Sequence, residues 1–212
     1  YTQITGHLTI RGANLKDLSP LSELTSILGS LSIIGCHQLS SVRGLEHLNF
    51  VGEGILISNN AQLVQLTEFG GLRHVGNNII VMSNPKLETL RGLWGVTGRL
   101  KQLSIRGNHS LRNLHGLGGL KSVELLSIQH NDTLESLEGL HHLKRIGEYL
   151  RIRANPRLTN LEGISRISGD LGALRIECNA SLTGIDGLEA ISSVTHSVII
   201  RGNKHLQSLE GL

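Results

Sequence analysis

Aromatic residues are almost absent from this chain of 212 residues, which has one Trp, two Tyr and two Phe. The core must therefore be built from aliphatic side chains. The stacking platforms that single-stranded nucleic acids prefer are missing as well. A formal net charge of only +3 is small for a nucleic-acid-binding domain. Composition therefore argues against a nucleic-acid partner.

Long apolar runs are missing too. No segment approaches the roughly 18 consecutive apolar residues that predict a membrane-spanning helix, and no basic-then-apolar leader stands at Tyr1. The chain starts and stops inside a repeating pattern, with no polar capping unit after Leu212, and solenoids need caps. We therefore expect residues 1–212 to be one repeat domain from a longer solenoid, with any leader, cap or membrane anchor outside this segment.

An internal repeat dominates the sequence. The stretch RGNHSLRNLHGL at 106–117 returns as RGNKHLQSLEGL at 201–212. Each unit has the form apolar-x-apolar-x-x-Asn-x-x-Leu-x-x-Leu-x-Gly-Leu, and successive units are 24 residues apart, with one step of 23. The Leu three residues after the Asn position marks the period at Leu39, Leu63, Leu87, Leu111, Leu134, Leu158, Leu182 and Leu206.

The period of apolar residues changes within each unit. Its first part alternates, as at Leu103 and Ile105, which predicts a short strand with one buried face. Its second part has an apolar residue at every third position, as at Leu111, Leu114 and Leu117, which favours a 3₁₀-like or irregular segment. A unit of this length is too short for a strand with a full crossover helix. The sequence therefore predicts an all-β solenoid of about nine coils stacked ~4.8 Å apart, with little regular helix.

An Asn follows the strand in seven of the coils. Where the chain leaves the strand, backbone N–H and C=O groups face inward without sheet partners, and an Asn amide can satisfy both kinds of group. We expect these side chains to form an inward-facing ladder, with Cys36 at the same place in the second coil. The ladder positions are Asn60, Asn84, Asn108, Asn131, Asn155, Asn179 and Asn203. The recurring Gly of the Gly-Leu pair fits a tight or positive-φ corner.

The ladder bears on the cysteines and on the three Asn-x-Ser/Thr triplets. Cys36 and Cys178 are six coils apart, roughly 29 Å at the strand spacing of a sheet, so a disulfide is excluded because its Cα atoms must lie within about 7 Å. The triplets begin at Asn108, Asn131 and Asn179. Because these are ladder residues, we expect them to point inward and to carry no glycan.

Two rows of strand residues should face outward, and they are not uniform. Coils two to four carry an apolar patch, which favours contact with another protein. Coils five to nine carry arginines, whose planar forks suit carboxylate, sulfate or phosphate; alternatively, these arginines are solvated and their stems cover apolar surface. The apolar sheet face is Ile34, Leu56, Ile80 and Met82, and the basic sheet face is Arg106, Arg151, Arg153, Arg175 and Arg201.

Patterns for catalysis, cofactors and metals are missing. There is no GxxxxGK[ST] motif, and the outward rows offer one carboxylate, Glu177, where glycan-cleaving enzymes need clustered acid–base groups. The eleven His have no metal-ligand spacing. A column of corner carboxylates is either a cation site or, in the preferred interpretation, a solvated edge; it comprises Glu138, Glu162, Asp186 and Glu210. We predict a non-enzymatic protein without cofactor or metal.

Several stretches resemble the receptor L domain family. They are SNPKLETLRGL at 83–93, RANPRLTNLEGI at 153–164 and SNNAQLVQLTEFGGL at 58–72. That family supplies the ligand-binding L domains of insulin- and EGF-receptor ectodomains. The stretches GSLSI at 29–33 and IGEYLRI at 146–152 are also similar to repeats of fungal GPI-anchored cell-wall proteins. The resemblance covers essentially the whole chain.

The resemblance implies a right-handed parallel β-helix of leucine-rich-repeat type that works outside the cell by binding. We therefore expect a cell-surface or extracellular recognition module whose sheet face binds another protein or an anionic glycan. The alternative is an intracellular leucine-rich-repeat scaffold within a large assembly, such as a cytoskeletal complex. Free cysteines and unused glycosylation triplets favour that alternative.

Overall fold

A computed structural model describes all residues, 1–212, and contains no α-helix. The chain forms thirteen strands and four short 3₁₀ turns, and every strand pair is parallel. The predicted all-β solenoid is therefore confirmed. The nine strands of its main sheet are joined by eight turns of chain.

The strands are numbered in chain order. They are β1 (Gln3–Ile4), β2 (Leu8–Arg11), β3 (Ser26–Ile27), β4 (Leu31–Ile34), β5 (Phe50–Val51), β6 (Gly54–Ser58), β7 (His74–Val75), β8 (Asn78–Met82), β9 (Gly98–Arg106), β10 (Leu120–Gln129), β11 (Arg145–Arg153), β12 (Gly169–Glu177) and β13 (Ile191–Arg201). The 3₁₀ turns are Ser19–Leu21, Thr67–Gly71, Arg91–Leu93 and Glu162–Ile164.

The main sheet stacks each repeat on the next. Its order is β2-β4-β6-β8-β9-β10-β11-β12-β13, so each strand pairs with the strand one turn later. Equivalent residues meet side by side: Ser127 is paired with Arg151, and Arg151 with Arg175. A column in the aligned repeats is therefore a row across the sheet.

A second, smaller sheet was not predicted. It contains the two-residue strands β1, β3, β5 and β7. From β9 onward the two strand segments of a turn merge into one strand of 9 to 11 residues, and bulges mark the junction in several pairs. An additional buried aliphatic position before each main strand, such as Ile27, Val51 and Val75, is the signal that could have indicated it.

One continuous core runs along the whole solenoid. It contains 52 buried residues, nearly all Leu, Ile and Val, and Phe69 is its only aromatic member. Inward strand positions such as Leu103 and Ile105 are fully buried, as are the every-third-position leucines such as Leu111 and Leu114. The 3₁₀ segments let the chain turn back without a helix, since one side of such a segment faces inward.

The asparagines form a hydrogen-bonded ladder inside the solenoid. The Oδ1 of Asn131 accepts the backbone N–H of Asn108 at 3.1 Å, and its Nδ2 donates to the carbonyl of Ile105 at 3.1 Å. All seven ladder asparagines repeat both contacts with the preceding turn. Six are fully buried, and Asn203 is half-buried.

The residue just before each ladder position has a left-handed backbone. Its φ lies between 52° and 70° in eight successive turns, and five of these residues are not glycine. The positions are Gly35, Asn59, Ser83, Gly107, His130, Ala154, Cys178 and Gly202. Non-glycine residues in this conformation cost roughly 1–2 kcal/mol each, so the regular stacking outweighs local preference. The corner glycine has its own requirement: Gly116 has φ 116°, and a Cβ there would collide with the carbonyl of Leu90.

Removing one ladder amide should destabilise the solenoid strongly. We expect Asn131→Ala to lower the free energy of unfolding by roughly 2–6 kcal/mol, because the N–H of Asn108 and the carbonyl of Ile105 would each lose a buried partner at about 1–3 kcal/mol. Urea denaturation followed by circular dichroism measures the loss. Asn203→Ala is the matched control and should cost less, because Asn203 is half-buried. Equal losses in the two variants would contradict this account.

Candidate anion-binding face

The two predicted outward rows lie on the main sheet, and the basic sheet face occupies its later strands. Arg106 comes from β9, Arg151 and Arg153 from β11, Arg175 from β12 and Arg201 from β13. Strand β10 contributes uncharged side chains at the same positions, since Ser127 pairs with Arg151 and Gln129 with Arg153. The arginines therefore lie on one flat surface, on adjacent or alternate strands.

Glu177 sits at the centre of this surface and is almost completely buried, with 1% of the residue exposed. Its Oε1 accepts hydrogen bonds from Arg201, at 2.8 Å from Nε and 2.7 Å from Nη2. Its Oε2 lies 3.3 Å from Nη2 of Arg151. Arg151 and Arg201 thus have a structural role as well as a place in the predicted binding surface.

Charge, rather than solvent, keeps the Glu177 carboxyl ionised. Burial alone would raise its pKa, but the hydrogen bond and charge of Arg201, with the charges of Arg151 and Arg153, outweigh burial and lower the pKa below its ordinary value. The carboxylate is enclosed by guanidinium groups and has no second carboxylate beside it. It is therefore a poor candidate for a proton-transferring group.

A third outward row, missed by the sequence analysis, adds an aromatic ring to the surface. Tyr149 stands one position before the buried Leu150, and the guanidinium carbon of Arg175 lies 5.7 Å from the centre of its ring. This distance is within the range of a cation–π interaction. Buried and outward-facing residues alternate in β11 from Tyr149 onward, one position earlier than the repeat motif indicated. This alternation is the signal that could have placed Tyr149 on the outer face.

The basic sheet face carries more positive charge than its fold balances. Five guanidinium groups share this face with one carboxylate, so four positive charges have no counter-charge in the outward rows. Arg106 and Arg153 make no ion pair within the protein. The Nε atoms of Arg151 and Arg175 are buried without a hydrogen-bond acceptor, an arrangement that costs stability. The surface can therefore accept anionic groups at its outer guanidinium nitrogens.

No family model, curated protein or solved structure matches the chain. The case for a function therefore depends on the basic sheet face itself. Four unbalanced charges on adjacent and alternate strands are the feature that any function must explain.

His130 borders the basic sheet face at the end of β10. It is half-buried and occupies the left-handed position of its turn, where φ is 54°. Burial lowers the pKa of His130 below its ordinary value, and the nearby charges of Arg106, Arg153 and Arg151 lower it further, while Asp132 opposes them. The surroundings of the imidazole therefore disfavour its protonated form. Asp132 is also contacted by His109, whose Nδ1 lies 2.8 Å from its carboxylate.

The apolar sheet face lies on the earlier strands of the main sheet. Its members Ile34, Leu56, Ile80 and Met82 do lie in the outward rows, but all four are half-buried. Leu56 pairs with Ile80 across the strands, and the buried Ser58 lies between Ile34 and Met82. These side chains remain partly exposed, so contact of the apolar sheet face with another protein stays a prediction.

The remaining candidate features carry little chemistry. No group of three or more His, Cys, Asp or Glu is arranged to hold a metal ion, and no helix is long and apolar enough to cross a membrane. Cys36 is buried, Cys178 is exposed, and both are free; burial raises the pKa of the Cys36 thiol. The triplet residues Asn108, Asn131 and Asn179 are fully buried, so a glycan cannot be attached to them in the folded chain.

Neutralising Glu177 should destabilise the fold. We expect Glu177→Gln to lower the free energy of unfolding by about 1–3 kcal/mol at neutral pH, because Arg151 and Arg201 would lose a buried, charged acceptor. The pKa of Glu177 is lower in the folded chain than its ordinary value of 4.5. The stabilisation by its carboxylate is therefore fully present above the ordinary pKa and is lost as pH falls through the lower pKa of the folded chain. Urea titrations of both proteins at several pH values measure the difference.

Glu138→Gln supplies the control, since the Glu138 side chain is 65% exposed and its carboxylate lies 3.4 Å from Nε2 of His115. A surface change of this kind should stay within about 0.5 kcal/mol. If the two substitutions cost the same, Glu177 is not the buried centre of the surface.

Proposed function

We propose that the protein is a non-enzymatic recognition module, on a cell surface or in an extracellular assembly, whose basic sheet face binds an anionic glycan. The observation that carries the proposal is the excess of guanidinium groups on this face, where one buried carboxylate balances only one of five positive charges. Arginines about one strand spacing apart repel each other by roughly 0.8 kcal/mol per pair even in bulk water. A bound anion would remove that repulsion.

The shape of the surface favours an extended ligand. The arginines are spread over β9 to β13 on a flat sheet, so successive acidic groups of a chain lying across the strands could meet successive arginines. Planar guanidinium forks bind carboxylate and sulfate oxygens in pairs. Tyr149, which packs against Arg175, adds an aromatic surface beside the charge. Together these features suit a sugar chain bearing acidic groups.

Binding without catalysis is the simpler reading of the same geometry. Glycan-cleaving enzymes need two carboxyl groups across the scissile bond. The outward rows contribute only Glu177, whose two oxygens are engaged by Arg151 and Arg201. The resemblance of the repeats to receptor L domains and fungal cell-wall proteins supports recognition at a surface as well.

A scaffold role inside a larger assembly is the second candidate. It is favoured by the two free cysteines and by the burial of the three triplet asparagines, which leaves the chain without the usual marks of secretion. In that case the basic sheet face would contact an acidic protein surface, and the half-buried aliphatic strip beside it would widen the contact.

Binding to an array of neutral, carboxylated and sulfated glycans tests the proposal. We expect retention of acidic glycans that weakens with added salt, and no retention of neutral ones. Arg153→Gln with Arg175→Gln should reduce retention at least tenfold, since each lost charged hydrogen bond is worth roughly 1.5–3 kcal/mol. Arg151 is left intact because it binds Glu177.

Arg112→Gln with Arg157→Gln is the matched control. Both arginines are exposed and lie in the loops beyond the strands, so this variant loses the same net charge without touching the sheet face. Equal loss in both double variants would reduce the effect to net charge. If no acidic glycan is retained, the glycan proposal is wrong and the scaffold role becomes the better account.

A further inference from the structure

His130 stands between two arginines of the basic sheet face. Residue 129 of β10 pairs with Arg106 on one side and with Arg153 on the other, and His130 follows it directly. The backbone N–H of His130 donates to the carbonyl of Arg153 at 3.0 Å. The two arginines are therefore on alternate strands, roughly 9.6 Å apart at sheet spacing, with the His130 turn between them.

The side chains on the turns adjacent to His130 are small. At the position equivalent to His130, the adjacent turns carry Gly107 and Ala154, which have no bulky side chain. Gln129 is turned along its own strand, where its Nε2 donates to Oγ of Ser127 at 2.6 Å. Long guanidinium side chains from both sides can thus converge near the imidazole of His130.

We propose that Arg106, His130 and Arg153 form a subsite for a tetrahedral oxyanion with three terminal oxygens, such as a sulfate or phosphate ester, and that the anion and a proton on His130 bind cooperatively. This inference rests on the proposed function and names the acidic group that the basic sheet face prefers. A carboxylate offers only two oxygens to these three donors, whereas a sulfate or phosphate ester offers three.

The coupling follows from the charges around the imidazole. Arg106, Arg151 and Arg153 oppose protonation of His130, and only Asp132 favours it. Asp132 itself is shared with His109, whose Nδ1 lies 2.8 Å from it. An anion between the two arginines would shift this balance towards protonation, and the protonated ring would then donate to the anion as a third partner. By linkage, if the bound anion raises the affinity of His130 for a proton, then protonation of His130 raises the affinity for the anion by the same factor.

Titration of the whole chain with inorganic sulfate at pH 5.5 and pH 7.5 tests this coupling. Sulfate keeps both charges over this range, so a difference in affinity must come from the protein. An opposite charge beside a histidine shifts its pKa by about one unit or more, so we expect sulfate to bind up to about tenfold more tightly at pH 5.5. Chemical shifts of the His130 ring report binding and protonation together, and chloride at equal ionic strength is the control.

Two variants separate the coupling from general anion binding. His130→Asn keeps a residue that tolerates the left-handed backbone and should remove the pH dependence of sulfate binding. Arg106→Gln should weaken sulfate binding at both pH values.

The outcomes distinguish this inference from the broader proposal. Equal affinity at both pH values, or pH dependence that survives in His130→Asn, would overturn the coupling and leave glycan binding by the basic sheet face standing. Absence of saturable sulfate binding would overturn the subsite, and the glycan array would then decide the broader proposal alone. Retention of carboxylated but not sulfated glycans would also contradict the subsite.

Discussion

The hydrogen bond from each ladder amide to the backbone of the preceding turn is the interaction on which the rest of the structure depends. A short strand must leave the sheet and turn through the interior, and its last N–H and C=O groups cannot reach solvent. Seven asparagines satisfy these groups with contacts of 2.9 to 3.2 Å. Because each amide contacts the turn before it, neighbouring turns are held at one height and in one register.

That register gives the outer face of the sheet its chemistry. When turns are held in step, a residue type that recurs in the repeat becomes a row across the strands. The fold gains nothing from guanidinium groups in such rows, and it accommodates them by burying Glu177 between Arg151 and Arg201 and by packing Arg175 on Tyr149. The remaining charge on Arg106 and Arg153 is available to a ligand.

Much of this arrangement could be predicted from the sequence, because the determining signals are periodic. The main strands, the aliphatic core and the positions of the ladder residues follow from the spacing of Leu, Ile and Asn. What was missed depends on contacts between turns or on weak local signals. The left-handed backbone at His130 and Ala154 is imposed by stacking, and neither residue type predicts this conformation. The depth at which Glu177 lies, and the shielding of Leu56 by Ile80, are set by neighbouring turns, since a row assignment gives direction but not burial.

The thiol at Cys36 leaves a gap in the chain of amides. Its Sγ reaches the carbonyls of Ile10 and Ile34 only at 3.8 Å, and it cannot supply both a strong donor and a strong acceptor as an amide does. The first turn is thus joined to the second mainly by sheet pairing and aliphatic contact. In a solenoid, where each turn contacts only its neighbours, such a seam limits how far cooperativity extends. Opening at this seam would free the turn bearing Leu8 and Ile10 and leave the contacts between the arginine-bearing strands intact.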